Sequence, residues 1–395
     1  MNSPLRIIIT GLVGLYPVGG VAWDYLPSAI ALAQLGHDVY YHEDTNCWSY
    51  HPIEQQYVSD GSYSAQYINN FFKQYQPELR DKWHYVHLQQ THFGMSQSAF
   101  EEVAKTADLF LNVSGTCGIP EQLSSDCIKV FIDTDPGYNQ IVFKERFFWS
   151  EKVDQWCELL ARHDHFFTFA ENINHPNCLI PDIGVEWKTT RMPILVNLWH
   201  SMTSSKSKTD LNHPWTTVMT WNPFKGRVIY QGVEYKSKNG EFGKVIHLPQ
   251  KISVPFKIAV GGIKPPVKDL ASHGWQVVDA PQATLTPSLY QEFITQSRGE
   301  FSVAKNIYVA LNSGWFSGRS AHYLAAGKPV VMQDTGFSKI LPTGEGLLTF
   351  TNLEDAISAI EEVEGNYSRH CQAAYGIAQD YFNSDQVLRK LLEDL

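Results

Sequence analysis

The chain has 395 residues, of which 43% are hydrophobic and 18% charged, and its 31 Lys and Arg against 41 Asp and Glu give a net charge of −10. This length favours two domains over a single core, and the acidic balance argues against nucleic acid or anionic membrane as a general partner. No apolar run approaches the roughly 20 residues of a membrane span, the start lacks the layout of a signal peptide, and the six cysteines form no C-x-x-C pair, so we expect a cytoplasmic protein with reduced thiols.

The first half alternates strand-like and helix-like segments. An apolar run at 5–10 ends in GLVGLYPVGG, and apolar residues then recur at helical spacing over 22–36. The alternation continues with predicted strands at 37–44, 107–115, 127–135 and 165–172 and a predicted helix at 151–164. This order predicts a doubly wound, Rossmann-like α/β domain over residues 1–200.

The second half repeats the pattern after a polar stretch over 201–214, which we interpret as a linker. A second Rossmann-like domain is predicted over 215–375, and the helical segment 376–395 is expected to pack back toward the first domain. Its predicted strands lie at 216–221, 256–262, 274–280, 306–312 and 329–334, with helices around 241–248, 289–296 and 319–327. Because ligands of open parallel sheets bind at the carboxyl ends of the strands, we expect the site in a cleft between the two domains.

One stretch of the second half, SGWFSGRSAHYLAAGKPVVMQDTGF, combines a glycine- and serine-rich loop, a helix, a strand and an acid. Free backbone N–H groups and the dipole at the helix start favour a phosphate. The hydroxyls of Ser317 and Ser320 and the guanidinium of Arg319 add donors for an anion. Ordinary helix capping by either serine and an ordinary turn after the strand explain the same residues without a ligand.

The same stretch resembles the nucleotide-sugar site of GT-B glycosyltransferases. It is most similar to a bacterial, family-4 and family-1-like group with the motifs GEFxVAK, SGWFSxRSAxYLAxGxPVVxQDTGF and LPTGEGLLxF. Here they occur as GEFSVAK (299–305), the 313–337 segment and LPTGEGLLTF (341–350). The resemblance covers residues 214–395 and implies a GT-B architecture in which the second domain holds the sugar donor and the first domain the acceptor.

The resemblance also implies roles for individual residues. Ser317, Arg319 and Ser320 would hold the donor pyrophosphate, and Asp334, Thr335 and Gly336 would face the donor sugar. Where relatives often place a ribose-binding Glu, this chain has His322, for which a partly buried surface histidine is the alternative. The remaining donor-side candidates in this stretch are Gly314, Trp315, Phe316 and Phe337.

Four residues outside that stretch are further donor-side candidates. Thr220 and Trp221 follow the first predicted strand of the second half, which would place them over the donor phosphates. Lys305 is expected to reach a phosphate and Glu300 a sugar hydroxyl. A core tryptophan at 221 and a surface ion pair between Glu300 and Lys305 are the alternatives.

Candidates for a catalytic base lie in the first half. Asp24 comes one turn into the helix that Gly19 and Gly20 begin, on the loop expected to face the acceptor, although a helix dipole also stabilises a carboxylate there. Asp133 and Asp135 follow a predicted buried strand, where an Asx turn is the alternative. We expect one of these three acids to deprotonate the acceptor.

The sequence therefore predicts a metal-independent hexosyltransferase, for which Asp24 favours inversion while retention of the anomeric configuration stays open. No His or Cys spacing indicates a metal site, and no cofactor is expected apart from a nucleoside diphosphate sugar as substrate, with UDP-, GDP- and dTDP-sugars as candidates. The acceptor is left open among small molecules, glycans and lipid-linked sugars, and the oligomeric state between monomer and homodimer. A nucleotide-sugar epimerase, a non-catalytic nucleotide-sugar-binding protein and, more weakly, a nicotinamide oxidoreductase are the rival hypotheses.

Overall fold

The computed structural model describes residues 3–144, 157–203, 213–221, 228–236, 238–262 and 264–395. Within them, near-continuous apolar runs form two parallel sheets, as the sequence predicts. The strands of the first half are β1 (Arg6–Thr10), β2 (Asp38–Asp44), β3 (Ser49–His51), β4 (Gln56–Val58), β5 (Trp83–His87), β6 (Thr91–Gly94), β7 (Leu109–Val113), β8 (Ile128–Asp133), β9 (His165–Thr168) and β10 (Trp187–Thr189). The helices of this half are α1 (Gly19–Gln34), α2 (Ser62–Tyr75), α3 (Gln97–Lys105), α4 (Tyr138–Lys144) and α5 (Val196–Thr203).

The first sheet has the order β10-β9-β8-β7-β1-β2-β5-β6 among the described residues. All of its neighbouring pairs are parallel except β5 and β6. The central strand β1 pairs Ile7 with Val39 on one side and with Leu109 on the other. β3 and β4 form a separate antiparallel hairpin.

The second half contains a six-stranded parallel sheet over the described ranges, with the order β15-β14-β11-β16-β17-β18. Its strands, with the small hairpin β12-β13, are β11 (Trp215–Thr220), β12 (Val228–Tyr230), β13 (Val233–Tyr235), β14 (Phe256–Gly261), β15 (Gln276–Asp279), β16 (Gly299–Ser302), β17 (Val330–Gln333) and β18 (Leu347–Phe350). The helices are α6 (Lys238–Phe242), α7 (Val267–Ser272), α8 (Ala280–Thr284), α9 (Pro287–Thr295), α10 (Asn306–Ala310), α11 (Gly318–Ala325), α12 (Leu353–Gly365), α13 (Tyr367–Ile377) and α14 (Ser384–Glu393). No helix of the described residues is long and apolar enough to cross a membrane.

One predicted strand is wrong. Residues 306–312 contain the short helix α10, and the strand of this region is β16, which the sequence reading missed. The apolar side chains of Ile307 and Tyr308 are buried, and a short buried apolar run has no periodicity that separates a strand from a helix. Residues 151–156 of the predicted helix at 151–164 lie outside the described residues, and 157–161 are helical as predicted. Most of the linker at 201–214 lies outside the described residues.

The two halves contact each other through α1 and the end of the chain. α1 packs against both α9 and α14, and the indole of Trp23 donates to the carbonyl of Pro287 at 3.0 Å. The segment before α14 returns to the first half, where the N–H of Ile194 donates to Phe382 O and the N–H of Ser384 donates to Ile194 O. These contacts hold the carboxyl ends of the two sheets face to face.

Candidate functional site

An ion pair joins the two halves at the centre of the facing strand ends. Asp135, in the loop after β8, accepts hydrogen bonds from the ammonium of Lys305 and the hydroxyl of Tyr308. Burial raises the pKa of Asp135, but the charge and hydrogen bond of Lys305, the hydrogen bond of Tyr308 and the charge of Lys238 together outweigh burial and hold this pKa below its usual range. Asp135 is thus an ionised partner of a second-half cation, an arrangement that the sequence reading did not anticipate.

Three cationic side chains gather beside Asp135. Lys238 begins α6, Lys305 precedes α10 and Arg319 lies in the first turn of α11. Burial, followed by the charges of Arg319 and Lys305, holds the pKa of Lys238 well below its usual range. Lys305 is paired with Asp135 and Arg319 with Glu300, whereas no salt bridge to another described residue neutralises Lys238. A protonated Lys238 therefore gives the cluster one more cation than its two carboxylates balance, which favours an anion.

Arg319 is anchored inside the second half. Its Nε donates to Glu300, which is fully buried. Its Nη1 donates to the carbonyl of Val218 at 2.7 Å, and its Nη2 donates to the hydroxyl of Ser302 at 2.8 Å. Two of its five N–H groups remain for a ligand, and the other three tie the ends of β11 and β16 together.

Asp24 faces this cluster from the first half. Its Oδ1 is buried and has no hydrogen-bond partner among the described residues, and a Cβ atom at Gly318 would lie only 2.8 Å from it. Burial raises the pKa of Asp24 to about 7, although the charge of Arg319 acts in the opposite direction. A carboxylate without a partner, with a pKa near neutrality, has the properties of a general base.

Asp133, by contrast, is part of the framework. It is fully buried and accepts from the side chains of Asn139, Gln140 and Thr168, at 2.5, 2.8 and 3.0 Å. The backbone N–H of Asp135 donates to it as well, at 3.2 Å. These contacts use its acceptor capacity and correct the expectation that it works in the cleft as a base.

We expect Asp133→Ala to lower the free energy of unfolding by about 1–3 kcal/mol or more, because four buried donors lose their acceptor. Urea denaturation measures this change, and the exposed Asp126→Ala is the control. Activity per folded molecule that falls as steeply as it does on loss of a base would contradict this structural role.

Several donor-side candidates point into the core instead of the cleft. The hydroxyl of Ser320 donates to the sulfur of Met332, and that of Thr335 donates to the carbonyl of Trp315 at 2.6 Å. Phe316 and Phe337 are buried and pack edge to face. Direct contact with a donor is not supported for Ser320, Thr335, Phe316 or Phe337 in this arrangement.

His322 lies between the halves. It is fully buried and stacks on Trp199 at 4.6 Å between ring centroids, with Tyr290 3.2 Å from its Nδ1. Burial lowers the pKa of His322 to about 3, so the ring is neutral. The buried ring corrects the alternative of a partly exposed surface histidine, and the contact of His322 with a ribose stays a prediction.

The loop around Gly314 and Gly336 is shaped by Asn172 of the first half. Both glycines have positive φ values, +74° and +97°, and a Cβ at either one would lie within 2.6 Å of an Asn172 atom. Asn172 donates to the carbonyl of Asn312 at 3.1 Å. The two glycines therefore provide room where the two chain segments cross. Asp334 accepts from the N–H of Gly336 at 2.8 Å, so its carboxylate stabilises the turn.

The remaining candidates border the facing strand ends. Thr220 is exposed at the end of β11, and the partly buried Trp221 packs edge to face on Phe242. Trp315 stacks on Tyr308 and donates to the carbonyl of Thr134 at 3.2 Å. Ser317 is the N-cap residue of α11; it is buried, and its side chain makes no capping hydrogen bond.

Gly19 and Gly20 allow close packing of α1. A Cβ at Gly19 would lie 2.4 Å from the carbonyl oxygen of Thr286, and one at Gly20 would lie 3.4 Å from the ring of Tyr290. Both glycines therefore face the second half at this point, and Gly19 in particular cannot be replaced without separating the two halves.

Two residues of the site, Lys238 and Asn172, escaped the sequence reading. Lys238 lies in a polar segment with no motif, and Asn172 has a side chain that only the fold brings to Gly336. Glu43, near the carboxyl end of β2, is fully buried and accepts from the N–H of Gly14 at 2.7 Å, so that it fixes the first loop. Its place at the end of a predicted strand suggests a polar residue at the rim of the cleft, and its burial corrects that interpretation.

No protein-family model matches the chain, and a comparison with curated proteins finds no match either. Solved structures of glycosyltransferases match over nearly the whole length. An alpha-glucosyltransferase in complex with UDP-glucose and DNA has a TM-score of 0.60 at 12% identity, over 99% of each chain. HepE of Anabaena, in complex with UDP and glucose, has a TM-score of 0.57 at 12% identity, over 99% of this chain and 100% of the other.

A sucrose-phosphate synthase from Thermosynechococcus elongatus also matches, with a TM-score of 0.53 at 11% identity over 98% and 99% of the two chains. These likenesses confirm the predicted GT-B fold. They do not test the resemblance of the particular sequence motifs, which stays a prediction. The first of these structures contains DNA, so the exclusion of nucleic acid stays a prediction from charge.

Proposed function

We propose that this protein is a metal-independent glycosyltransferase that moves a hexose from a nucleoside diphosphate sugar, with UDP as the favoured nucleotide, to an acceptor hydroxyl. The observation that carries the proposal is the cluster of Lys238, Lys305 and Arg319 at the facing ends of two parallel sheets, directly opposite Asp24. Diphosphate recognition requires such convergent cations, and solved structures of the same fold contain UDP or UDP-glucose.

The chemistry follows from this placement. The acceptor oxygen forms a bond to the anomeric carbon, the bond from that carbon to the diphosphate breaks, and the acceptor proton passes to Asp24. Lys238 and the two N–H groups that Arg319 has left stabilise the charge on the leaving diphosphate. A base on the acceptor side favours direct displacement, so we propose that the anomeric configuration inverts.

Calorimetry with UDP, GDP and dTDP, in the presence and absence of EDTA, tests the proposal. We expect UDP to bind, EDTA to leave its affinity unchanged, and NMR of the product to show inversion. Failure of all three nucleotides to bind overturns the donor assignment. Retained anomeric configuration overturns the role of Asp24 as base without touching the donor assignment.

We expect Asp24→Asn to abolish transfer and yet raise the thermal stability at alkaline pH. With the pKa of folded Asp24 at about 7 and that of the unfolded chain near 4, the folded state binds more protons between these values. Stability from this group therefore falls as the pH rises through that window, and asparagine removes the loss. At about pH 8 the melting temperature of Asp24→Asn should exceed that of the wild type, whereas at about pH 4 it should not.

The wild-type rate should rise with pH as Asp24 ionises, with a midpoint near 7. Glu54→Gln, an exposed acid on the β3-β4 hairpin, is the control for the stability comparison. A stabilised asparagine variant that keeps full activity would remove Asp24 from the mechanism.

A further inference from the structure

An aromatic surface lies beside the loop that leads into α1. Tyr50 and Tyr57 are direct partners across the β3-β4 hairpin, with ring centroids 5.7 Å apart. Tyr16, from the loop after β1, lies 6.4 Å from each of them. The hydroxyls of Tyr16 and Tyr57 are 3.2 Å apart. We call these three residues the tyrosine platform.

The platform is held in place, and Tyr57 is its exposed member, whereas Tyr16 and Tyr50 are partly buried. The N–H of Tyr50 donates to the carbonyl of Leu15 at 2.9 Å, which ties the hairpin to the first loop. Tyr57 has 52% of its surface exposed. A single exposed apolar side chain is common, but the ring of Tyr57 packs against two further aromatic rings and forms a continuous patch with them, and such a patch indicates a binding surface.

The platform also lies where the two halves meet. Gln55, at the hairpin tip, donates to the carboxylate of Asp279 at the end of β15, at 3.2 Å. The hairpin thus reaches from the acceptor half to the donor half. A molecule on the platform lies beside the loop that leads through Gly19 and Gly20 to Asp24.

The charge around the platform selects its occupant. The sequence has no Lys or Arg between Arg6 and Lys73, whereas it has Glu54 and Asp60 on and beside the hairpin. Asp279 adds a third carboxylate from the other half. Phosphate groups need neighbouring cations, so this surface disfavours nucleic acid and other phosphorylated acceptors.

We propose that the tyrosine platform binds a neutral carbohydrate, the acceptor of the transferase proposed above. The apolar face of a pyranose ring stacks on an aromatic ring, and the tyrosine hydroxyls bond the sugar hydroxyls at its edge. Tyrosine offers this mixed contact with little loss of side-chain entropy. The identification of this carbohydrate as the acceptor rests on the proposed function, but carbohydrate binding itself is testable independently of it.

The experiment measures binding of short neutral oligosaccharides of glucose, mannose, galactose and N-acetylglucosamine by saturation-transfer NMR and titration. Parallel titrations use UDP and a short DNA duplex. We expect Tyr57→Ala and Tyr50→Ala to lower the affinity for the oligosaccharide by about tenfold or more and to leave the affinity for UDP unchanged. Tyr57→Phe, which keeps the ring, should retain most of the affinity, and so should Ile53→Ala, a 63% exposed aliphatic residue of the same hairpin.

Four outcomes would overturn the proposal. One is that no oligosaccharide binds, and another is that Tyr57→Ala leaves the binding unchanged. The third is that DNA binds at the platform instead, and the fourth is that Ile53→Ala is as damaging as the tyrosine variants, which would indicate a general apolar ligand. If only UDP fails to bind, the proposed transferase activity is contradicted. Loss of oligosaccharide binding in Tyr57→Ala would still support the platform as a carbohydrate site.

Discussion

Arg319→Met is expected to destabilise the protein by about 3–5 kcal/mol, because it leaves the carboxylate of Glu300 buried and uncompensated. Glu300 is fully buried, and its Oε2 already lacks a partner among the described residues. The same substitution leaves Ser302 Oγ and the Val218 carbonyl without their donor. Chemical denaturation measures the loss, and Arg369→Met, at an exposed ion pair, is the matched control.

The double variant Arg319→Met with Glu300→Leu separates structure from ligand binding. Removing both members of a buried ion pair is often close to neutral for stability, so we expect most of the lost stability to return. UDP affinity should stay reduced by about tenfold or more, since the guanidinium is absent. Recovery of both properties would assign Arg319 to the framework alone.

Lys238→Met is expected to weaken UDP binding by about tenfold or more and to leave stability unchanged or improved. The ammonium of Lys238 is desolvated beside Arg319 and Lys305, which lowers its pKa. Its removal relieves a repulsion in the free protein but removes an attraction in the complex. Calorimetry and thermal melts measure the two effects, and Lys251→Met, an exposed lysine of the same half, is the control.

The same lysine predicts a link between UDP binding and proton uptake. The pKa of Lys238 is low in the free protein, and a bound diphosphate raises it by supplying negative charge. Above the free-state pKa, binding therefore takes up a proton, and UDP affinity falls as the pH rises. Titrations in buffers of different ionisation enthalpy should detect this uptake in the wild type and lose it in Lys238→Met. An unchanged uptake in the variant would assign the proton to another group.

The strands of both sheets could be predicted because their signal is local. Buried parallel strands need continuous apolar runs, and the segments that became β1, β8, β11 and β17 carry them within a few residues. β5, β6, β10, β16 and β18 escaped this reading. In the β5 sequence, WHYVH, two histidines interrupt the apolar run, yet all five of its residues are buried. Tertiary packing outweighed the local pattern there.

The directions in which the side chains of residues 313–337 point were harder to predict from the sequence. Ser317, Arg319 and Ser320 lie within four positions, yet the hydroxyl of Ser320 points at Met332 while the guanidinium of Arg319 lies near the cleft. Which of these positions faces the sheet depends on the rotation of α11 against it. That rotation is decided by the packing of residues such as His322 and Trp199.

The sequence by itself determined the two Rossmann-like halves, because periodicity and turn chemistry act over short stretches of chain, and the resemblance to GT-B glycosyltransferases added the architecture and the region of the candidate site. The tertiary structure decided which side chains carry charge there. Asp135 and Lys305 are 170 residues apart in the chain and in contact in the fold, and Asp24 owes its raised pKa to burial where two halves meet. Burial and long-range electrostatics depend on atoms that only the folded chain brings together.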